Sequence, residues 1–395
     1  MIARRRQVAL VLTAVLAAAA ACQAQEREGS APPGRPAPAA ARAFTLVASG
    51  DVLPDSTVAE RARFDAGGNG YDFRPMLAGA AAAVSRADVA LCHMGAGYGE
   101  DGDNTAHPTF QAPPDLALGL AMTGYDGCST ASAHALDGGA AGIRQTLDLM
   151  DHMGLRHTGT ARTESEARTV TILPAGPAKV AHLSYTFDTS GVALPPAQPW
   201  AVNLIDERRV IADARAARKA GADVVVVSLH WGTEGQDQPD ERQLTLAKRL
   251  TASRSGGRPD LDLVLGTRAH VPQAYEKVNG TWVVYGLGDQ IAGQQGAQPD
   301  GAQIAQPDGQ QVLPGPRGIQ STIARFTFTA PGRPGARWEV TRAEYIPQMY
   351  DLDAGRVVDL NAAIASGADL TGVRDHVRDA VLSRGAAKDG LVMGE

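Results

Sequence analysis

The chain alternates between short runs of consecutive apolar residues and longer segments whose apolar residues recur at helical spacing. Val224–Val227 is the clearest apolar run, and Glu207–Ala220 is typical of the helical segments. Continuous apolar runs of this length predict strands that are buried on both faces. Strands are predicted at Phe44–Ser49, Val89–Cys92, Gly127–Ser132, Thr169–Leu173, Lys179–Ser184, Val224–Leu229 and Leu261–Leu265, and helices at Phe73–Arg86, Asp115–Thr123, Ala141–Met153, Glu207–Ala220 and Arg242–Ser253. This alternation predicts an α/β domain.

After Leu265 the pattern changes, because apolar runs follow one another without helical segments between them. Strands are predicted at Trp282–Tyr285, Thr322–Thr327 and Trp338–Tyr345, and we expect them to be antiparallel and to close a second sheet. Residues 293–318 are rich in Gln, Pro and Gly, which predicts an exposed insertion. We place the domain at residues 43–350. Residues 351–395 predict a helical tail that packs on the edge of the domain or frays.

The N-terminus has the features of an export signal. Arg4-Arg5-Arg6 precedes an apolar stretch, Val8–Ala21, that is short for a membrane span. Small residues lead into Cys22, so residues 1–22 predict a signal peptide of the lipoprotein type, with ordinary cleavage nearby as the alternative. Residues 23–42 are rich in Pro and Ala and predict a disordered tether. We therefore expect an extracytoplasmic protein held at the membrane by a lipid anchor on Cys22.

The net charge indicates which classes of partner to expect, and the cysteines indicate whether a disulfide bond is expected. The net charge is −6, and beyond the N-terminus the chain has no basic cluster of the kind that a nucleic-acid partner needs. Cys92 and Cys128 are the cysteines of the mature chain other than Cys22. Two cysteines in an exported protein can pair. Both lie in apolar, strand-like surroundings, however, which favours buried free thiols.

Polar side chains follow several of the predicted strands, which is where α/β enzymes build their sites. Asp51 follows the first strand, His134 follows Gly127–Ser132, His230 ends the Val224 strand, and His270 follows Leu261–Leu265. Carboxylates and imidazoles are ligands for divalent metals, and an imidazole also transfers protons. These residues are therefore the candidates for a metal site.

Nearby residues allow more than one interpretation. Asp137 either orients His134 or caps the helix that follows, and the cap is favoured. Arg268 either binds an anionic group through its planar fork or lies on the surface. The Gly-rich segment Gly286–Asp289 either lets the backbone approach a ligand closely or forms a plain hairpin turn. His93 ends the strand Val89–Cys92 and faces the same edge of the predicted sheet.

The order of these signals resembles the CapA family, which is linked to poly-γ-glutamate capsule synthesis and related to calcineurin-like metallophosphoesterases. The resemblance runs from Ala43 to Thr327 and is carried by Gly50-Asp51, Ala87-Asp88, Phe110–Pro114, Ser132-Ala133-His134, His230–Glu234, Gly266–His270 and Tyr285–Gly288. It implies a four-layer α/β/β/α sandwich with the site at the edges of the sheets. It also implies that Asp51, His134, His230 and His270 bind a divalent metal, with His134 as the catalytic acid, and that the partners are an envelope polymer or the capsule machinery.

The metal-site pattern of the family is only half present. The chain has His93-Met94-Gly95 where family members usually have a sequence ending in Glu, Ser132-Ala133-His134 in place of Ser-Asn-His, and Gly266–His270 without the first two imidazoles of Gly-His-His-x-His. A dinuclear site needs about six to eight protein donors, including a bridging carboxylate. We therefore expect an envelope protein with weakened or lost catalysis. The alternative is an active metal-dependent hydrolase or transferase with a reduced site, helped by Asp289 or Glu100.

Overall fold

The computed structural model describes residues 42–99, 111–293, 318–333 and 336–395. The predicted signal peptide with Cys22, the tether, Glu100 and most of the predicted insertion lie outside these ranges. Within them, none of the helices combines the length and the apolar character that a bilayer span requires.

Each strand and helix predicted before residue 266 overlaps an observed one. The strands are β1 Ala43–Leu53, β2 Val89–Met94, β3 Gly97–Tyr98, β4 Gln111–Ala112, β5 Gly127–Ser129, β6 Arg156–Thr158, β7 Thr171–Ala175, β8 Ala178–Thr186, β9 Val224–His230, β10 Arg254–Ser255, β11 Arg258–Pro259, β12 Leu263–Thr267, β13 Tyr275–Val278, β14 Thr281–Val284, β15 Asp289–Ala292, β16 Gly318–Thr329, β17 Glu339–Asp351, β18 Arg356–Asp359 and β19 Leu391–Met393. The helices are α1 Ser56–Asp65, α2 Arg74–Val84, α3 Asp115–Thr123, α4 Gly139–His152, α5 Glu164–Ala167, α6 Glu207–Lys219, α7 Glu241–Ala252, α8 Leu360–Ala365 and α9 Thr371–Leu382, and a 3-10 helix spans Ala386–Asp389.

The strands form two large mixed sheets. The first has the order β18-β17-β16-β1-β2-β5-β6, with β15 also paired to β1 and β19 to β17. The second has the order β13-β14-β12-β9-β8-β7. In the first sheet β1, β2, β5 and β6 are parallel, and in the second β14, β12, β9 and β8 are parallel. The carboxyl ends of each parallel set therefore lie at one edge of its sheet.

The alternation of side chains along the strands shows four layers. On β1, Leu46 faces a core between the two sheets, whereas Val47 faces a second core that α2, α3 and α4 cover. On β9, Val226 joins the core between the sheets, and Val227 joins a third core beneath α6 and α7. Apolar residues on both faces of these strands thus hold an α/β/β/α sandwich together, and the predicted fold class is confirmed.

The strands after β14 are arranged differently from the prediction. Of the three predicted there, only Trp282–Tyr285 corresponds to a strand of the second sheet, β14. β16 and β17 form a long antiparallel pair that joins the first sheet through β1, where Phe44 pairs with Phe328. The two rings stack with their centroids 5.1 Å apart. The expectation that these strands close a second sheet was wrong, because β16 pairs with the edge of β1 that β2 leaves open.

Cys92 and Cys128 form a disulfide bond, so the prediction of buried free thiols was wrong. The two residues lie directly opposite each other on the neighbouring parallel strands β2 and β5. Their Cα atoms are 4.4 Å apart, which is within the range for a disulfide. The local apolar pattern around each cysteine did not reveal that the two strands are adjacent.

The last 45 residues are an integral part of the sandwich rather than a helical tail alone. β18 and β19 both pair with β17, and α9 places Val377 and Val381 in the core between the sheets. Arg384 reaches back to Glu276 on β13 with a 2.8 Å ion pair. This segment therefore completes one edge of the first sheet and braces the second.

Candidate metal centre

The candidate site lies where β1, β2, β9, β12 and β15 bring polar residues to one edge of the sandwich. Asp51 is directly opposite His93 on β2 and directly opposite Asp289 on β15. His230 ends β9, and His270 lies in the loop that follows β12. Asp51 is therefore the central residue of the site, because the strands on either side of it deliver the other groups.

A glycine at position 50 makes this arrangement possible. A Cβ atom there would lie 1.8 Å from the carbonyl oxygen of Gly288. The backbone N–H of Asp51 donates to that same oxygen at 3.0 Å. The Gly286–Asp289 turn thus packs directly against β1 and positions the Asp289 carboxylate. This close approach is to β1, so the predicted approach of the turn to a ligand stays a prediction.

Two groups of potential ligands share Asp51. The first consists of Asp51, His93 and His230, and both imidazoles place a nitrogen 3.5 Å from Asp51 Oδ1. The second consists of Asp51, His270 and Asp289. In each group, one ligand atom per residue lies within 4.8 Å of the others. Imidazole and carboxylate donors suit a divalent transition metal, and a carboxylate common to both groups is the element that a two-metal site requires.

Unsatisfied polar atoms indicate that these residues fit a cation. Asp51 Oδ1 and His93 Nε2 are both buried and have no hydrogen-bond partner. A buried polar group without a partner costs about 1–3 kcal/mol. The other ring nitrogen of His93 is hydrogen-bonded to Ser129 Oγ at 2.8 Å, as is typical of an outer partner that orients a metal ligand. A divalent ion at this position would satisfy both buried atoms.

Burial controls the protonation of the centre. It raises the pKa of Asp51 to about 7, and it lowers the pKa of His93 to about 3. Burial also holds the pKa of His230 well below its ordinary value, with the charges of His93, His270 and others adding to the effect. At His270, burial opposes protonation, but the carboxylate of Asp289 at 2.8 Å prevails and raises the pKa to about 10. A cation at the second group must therefore displace the His270 proton, whereas His93 and His230 are already neutral.

His134 lies next to these groups without belonging to either of them. Its Nδ1 atom is hydrogen-bonded to Asp137 Oδ2 at 2.9 Å, and its charge contributes to the lowered pKa of His230. Helix α4 has Gly138 at its N-cap, with no side-chain cap. The interpretation of Asp137 as a helix cap was therefore wrong, and the alternative, that it orients His134, is correct.

Of the residues assigned to the metal from sequence, the structure brings together Asp51, His230 and His270. It adds His93 and Asp289, which sequence reasoning noticed but did not assign as ligands. The position of His93 at the end of β2 and the Gly-rich turn before Asp289 were the available signals. Only the register of β1 with β2 and β15 shows that both reach Asp51.

The loop after β12 has an unusual backbone conformation. Arg268 and His270 have φ values of 82° and 59°, which are uncommon for residues with side chains and typical of functional sites. This conformation lets the backbone N–H of Arg268 donate to Asp51 Oδ2 at 3.1 Å. Thr267, the last residue of β12, places its Oγ1 atom in a 3.0 Å hydrogen bond with His230 Nδ1. The end of β12 and the loop after it therefore contact two of the ligands without supplying the imidazoles that the resemblance implied.

The four-layer sandwich, the site at the strand ends and the shared carboxylate define an α/β/β/α protein with a candidate two-metal centre. The model of the family described as bacterial capsule synthesis protein PGA_cap matches residues 45–294, more than half of the chain. The chain belongs to this family.

Individual relatives are more distant. The capsule biosynthesis protein CapA of Bacillus anthracis is 24% identical over 188 residues, which cover 47% of this chain and 44% of the relative. The PGA biosynthesis protein CapA of Bacillus subtilis strain 168 is 28% identical over 167 residues, which cover 42% of each. The chain therefore matches less than half the length of these curated relatives. Among solved structures, a putative 5'-nucleotidase from Staphylococcus aureus in complex with α-ketoglutarate has 13% identity and a TM-score of 0.44, covering 85% of this chain and 57% of the other.

Proposed function

We propose that the chain is a metal-dependent hydrolase or transferase that acts on poly-γ-glutamate, or on a precursor of it, during capsule synthesis. The observation that carries this proposal is the pair of ligand groups that share Asp51. Motif comparison left out His93 and Asp289, and with them the two groups contain five residues. The capsule and PGA names of the relatives support the choice of polymer.

A bound ion and the side chains around it would have different roles in the reaction. A divalent ion held by either group of three residues would supply a Lewis acid and a water of lowered pKa. Ser129 holds the ring of His93 through the nitrogen that faces away from Asp51, whereas Thr267 bonds to Nδ1 of His230, the nitrogen that lies 3.5 Å from Asp51. The Asp137 carboxylate favours a proton on Nδ1 of His134, so Nε2 is the atom that would exchange a proton with the leaving group.

Metal content and hydrolysis test this proposal together. Protein purified after supplementation with Zn²⁺ or Mn²⁺ is analysed for bound metal, and it is assayed on γ-linked glutamyl oligomers and on a generic phosphodiester. We expect at least one bound ion, with His93→Ala and Asp51→Asn losing most of it, because each removes a donor that few others can replace. His152→Gln, a change of an exposed histidine, is the matched control.

A low metal content would contradict this proposal. If the supplemented protein holds less than about a tenth of an equivalent of metal, the centre does not bind ions with useful affinity. The protein would then be the non-catalytic envelope protein that the missing motif residues predict, and it would bind polymer or partner without cleaving it.

We also propose that the protein works outside the cytoplasm, anchored by a lipid on Cys22. The charged and apolar N-terminal segments and the small residues before Cys22 support this location. When the protein is expressed in cells, the unmodified protein is expected in the membrane fraction. After phase separation in detergent, it is expected in the detergent-rich phase. Cys22→Ser should move it to the aqueous phase, and equal partitioning of both would contradict lipid anchoring.

A further inference from the structure

A cavity of about 510 Å³ opens next to the metal centre on the side of the second sheet. Four apolar residues line it, namely Phe187, Ile205, Trp231 and Leu246, together with Arg242 and Arg268 and the acidic residues Asp188, Glu234 and Asp240. Trp231 directly follows the candidate ligand His230, and the backbone of Arg268 contacts Asp51, so the cavity and the centre share a wall. Its volume is in the range of small-molecule sites.

Arg268 is directed into this cavity rather than toward the metal centre. Its Nη1 atom donates to Asp188 Oδ2 at 2.7 Å, and its Nε atom is buried without a hydrogen-bond partner, 3.9 Å from Glu234 Oε1. The Asp188 side chain is 38% exposed. The guanidinium group therefore already binds a carboxylate here through one N–H donor, and that carboxylate belongs to a side chain with access to solvent. A ligand carboxylate can take its place.

Arg242 provides a second positive group in the lining of the cavity. Its guanidinium lies over the ring of Phe187, with Cζ 5.1 Å from the ring centroid. In the described ranges no carboxylate forms an ion pair with it. Phe187 itself is 47% exposed, which is high for a large aromatic side chain. An exposed aromatic ring beneath an available cation is a surface that favours an apolar stem ending in an anionic group.

We propose that this cavity is a subsite for a carboxylate carried on a short aliphatic chain. Arg268 binds the carboxylate, Asp188 is the internal group that it displaces, and Phe187 and Trp231 cover the methylene groups. Arginine suits this task because its planar donors match a carboxylate in pairs. The proposal deepens the proposed function and rests on it, since the subsite would hold the unit next to the bond presented to the metal centre.

Calorimetric titration with four probes tests the subsite. Glutarate and γ-glutamylglutamate carry the proposed group, glutaramide is the neutral analogue of glutarate, and inorganic phosphate is the competing anion. We expect glutarate and the dipeptide to bind and glutaramide to bind at least tenfold more weakly. Equal binding of glutarate and glutaramide overturns the proposal, and tighter binding of phosphate than of glutarate overturns the assignment to a carboxylate.

Two variants are expected to change glutarate binding in opposite directions, so that misfolding, which would only weaken binding, can be distinguished from loss of the subsite. Arg268→Gln should weaken glutarate binding at least tenfold, whereas Asp188→Asn should strengthen it severalfold because the internal competitor loses its charge. Arg249→Gln changes an exposed arginine of the same helix as Arg242 and is the control. If Arg268→Gln binds glutarate as the parent does, or if Asp188→Asn weakens binding, the subsite is not where we place it.

Metal analysis of the same samples separates this proposal from the proposed function. Carboxylate binding that depends on Arg268, in a protein that holds no metal after supplementation, would support the subsite and refute the metal-dependent enzyme. Cleavage of glutamyl oligomers with the same KM in the parent and in Arg268→Gln would support the enzyme and overturn the subsite.

Discussion

Replacing Asp51 with Asn should have opposite effects on the protein without metal and with metal. The change removes the charge and keeps the size of the side chain and its oxygen acceptor for the Arg268 N–H. Burial raises the pKa of Asp51 from 3.8 to about 7. A carboxyl group whose pKa is higher in the folded state than in the unfolded state destabilises the folded state at alkaline pH, and this penalty disappears as the pH falls toward 4. At pH 8 the penalty is on the order of 4 kcal/mol.

We therefore expect Asp51→Asn to increase the free energy of unfolding of the metal-free protein at pH 8, by about 2–4 kcal/mol. With metal present at about a hundred times the dissociation constant, the parent gains about 2.7 kcal/mol that the variant cannot gain. Urea unfolding in EDTA and in Zn²⁺, at pH 8, 6 and 4, measures both effects. Asp369→Asn, an exposed position, is the control. A metal-free variant that is less stable than the parent at pH 8 would refute the reasoning.

Three further outcomes are expected. Gly95→Glu should destabilise the protein and restore no ligand, because a Cβ there would lie 2.3 Å from Cδ2 of the buried Leu53; an unchanged melting temperature would contradict this. Cys92→Ala with Cys128→Ala should lower the free energy of unfolding by about 3–4 kcal/mol, and reductant should lower that of the parent but not of the double variant. Burial lowers the pKa of His182 to about 3, so the unfolded chain takes up a proton that the folded chain does not. The free energy of unfolding should therefore decrease as the pH is lowered from 6.5 to 3, and it should decrease less steeply in His182→Gln. The midpoints of urea unfolding at several pH values measure this difference.

The site residues that could be predicted are those whose position depends on a single strand. Asp51, His230 and His270 each follow an apolar run, and the run alone indicates where the side chain emerges. His93 and Asp289 depend instead on which strands are neighbours and in what register, which no local pattern contains. The alternation of strands and helices predicted an α/β domain, and the family resemblance alone implied its four layers.

The same limit explains the corrections. The Cys92–Cys128 bond requires β2 beside β5, and the position of β16 requires an open edge of β1; both are relations between distant segments. Asp137 satisfies the sequence rule for a helix cap, yet its carboxylate bonds to His134. A polar residue before a helix has several possible partners, and only the tertiary structure selects among them.

The substitutions around the centre do not have the features of a site that has lost its use. If no cation bound, burying Asp51 Oδ1 and His93 Nε2 without partners would be a cost of about 1–3 kcal/mol for each atom, with nothing to offset it. Single changes could relieve that cost, since a serine or an asparagine nearby would supply a hydrogen bond. Instead Ser129 still orients His93, and Thr267 contacts His230 where the resemblance implies an imidazole. Buried, unsatisfied atoms of this kind, within a set of hydrogen bonds that holds the rings around Asp51, are compatible with a divalent cation at this centre.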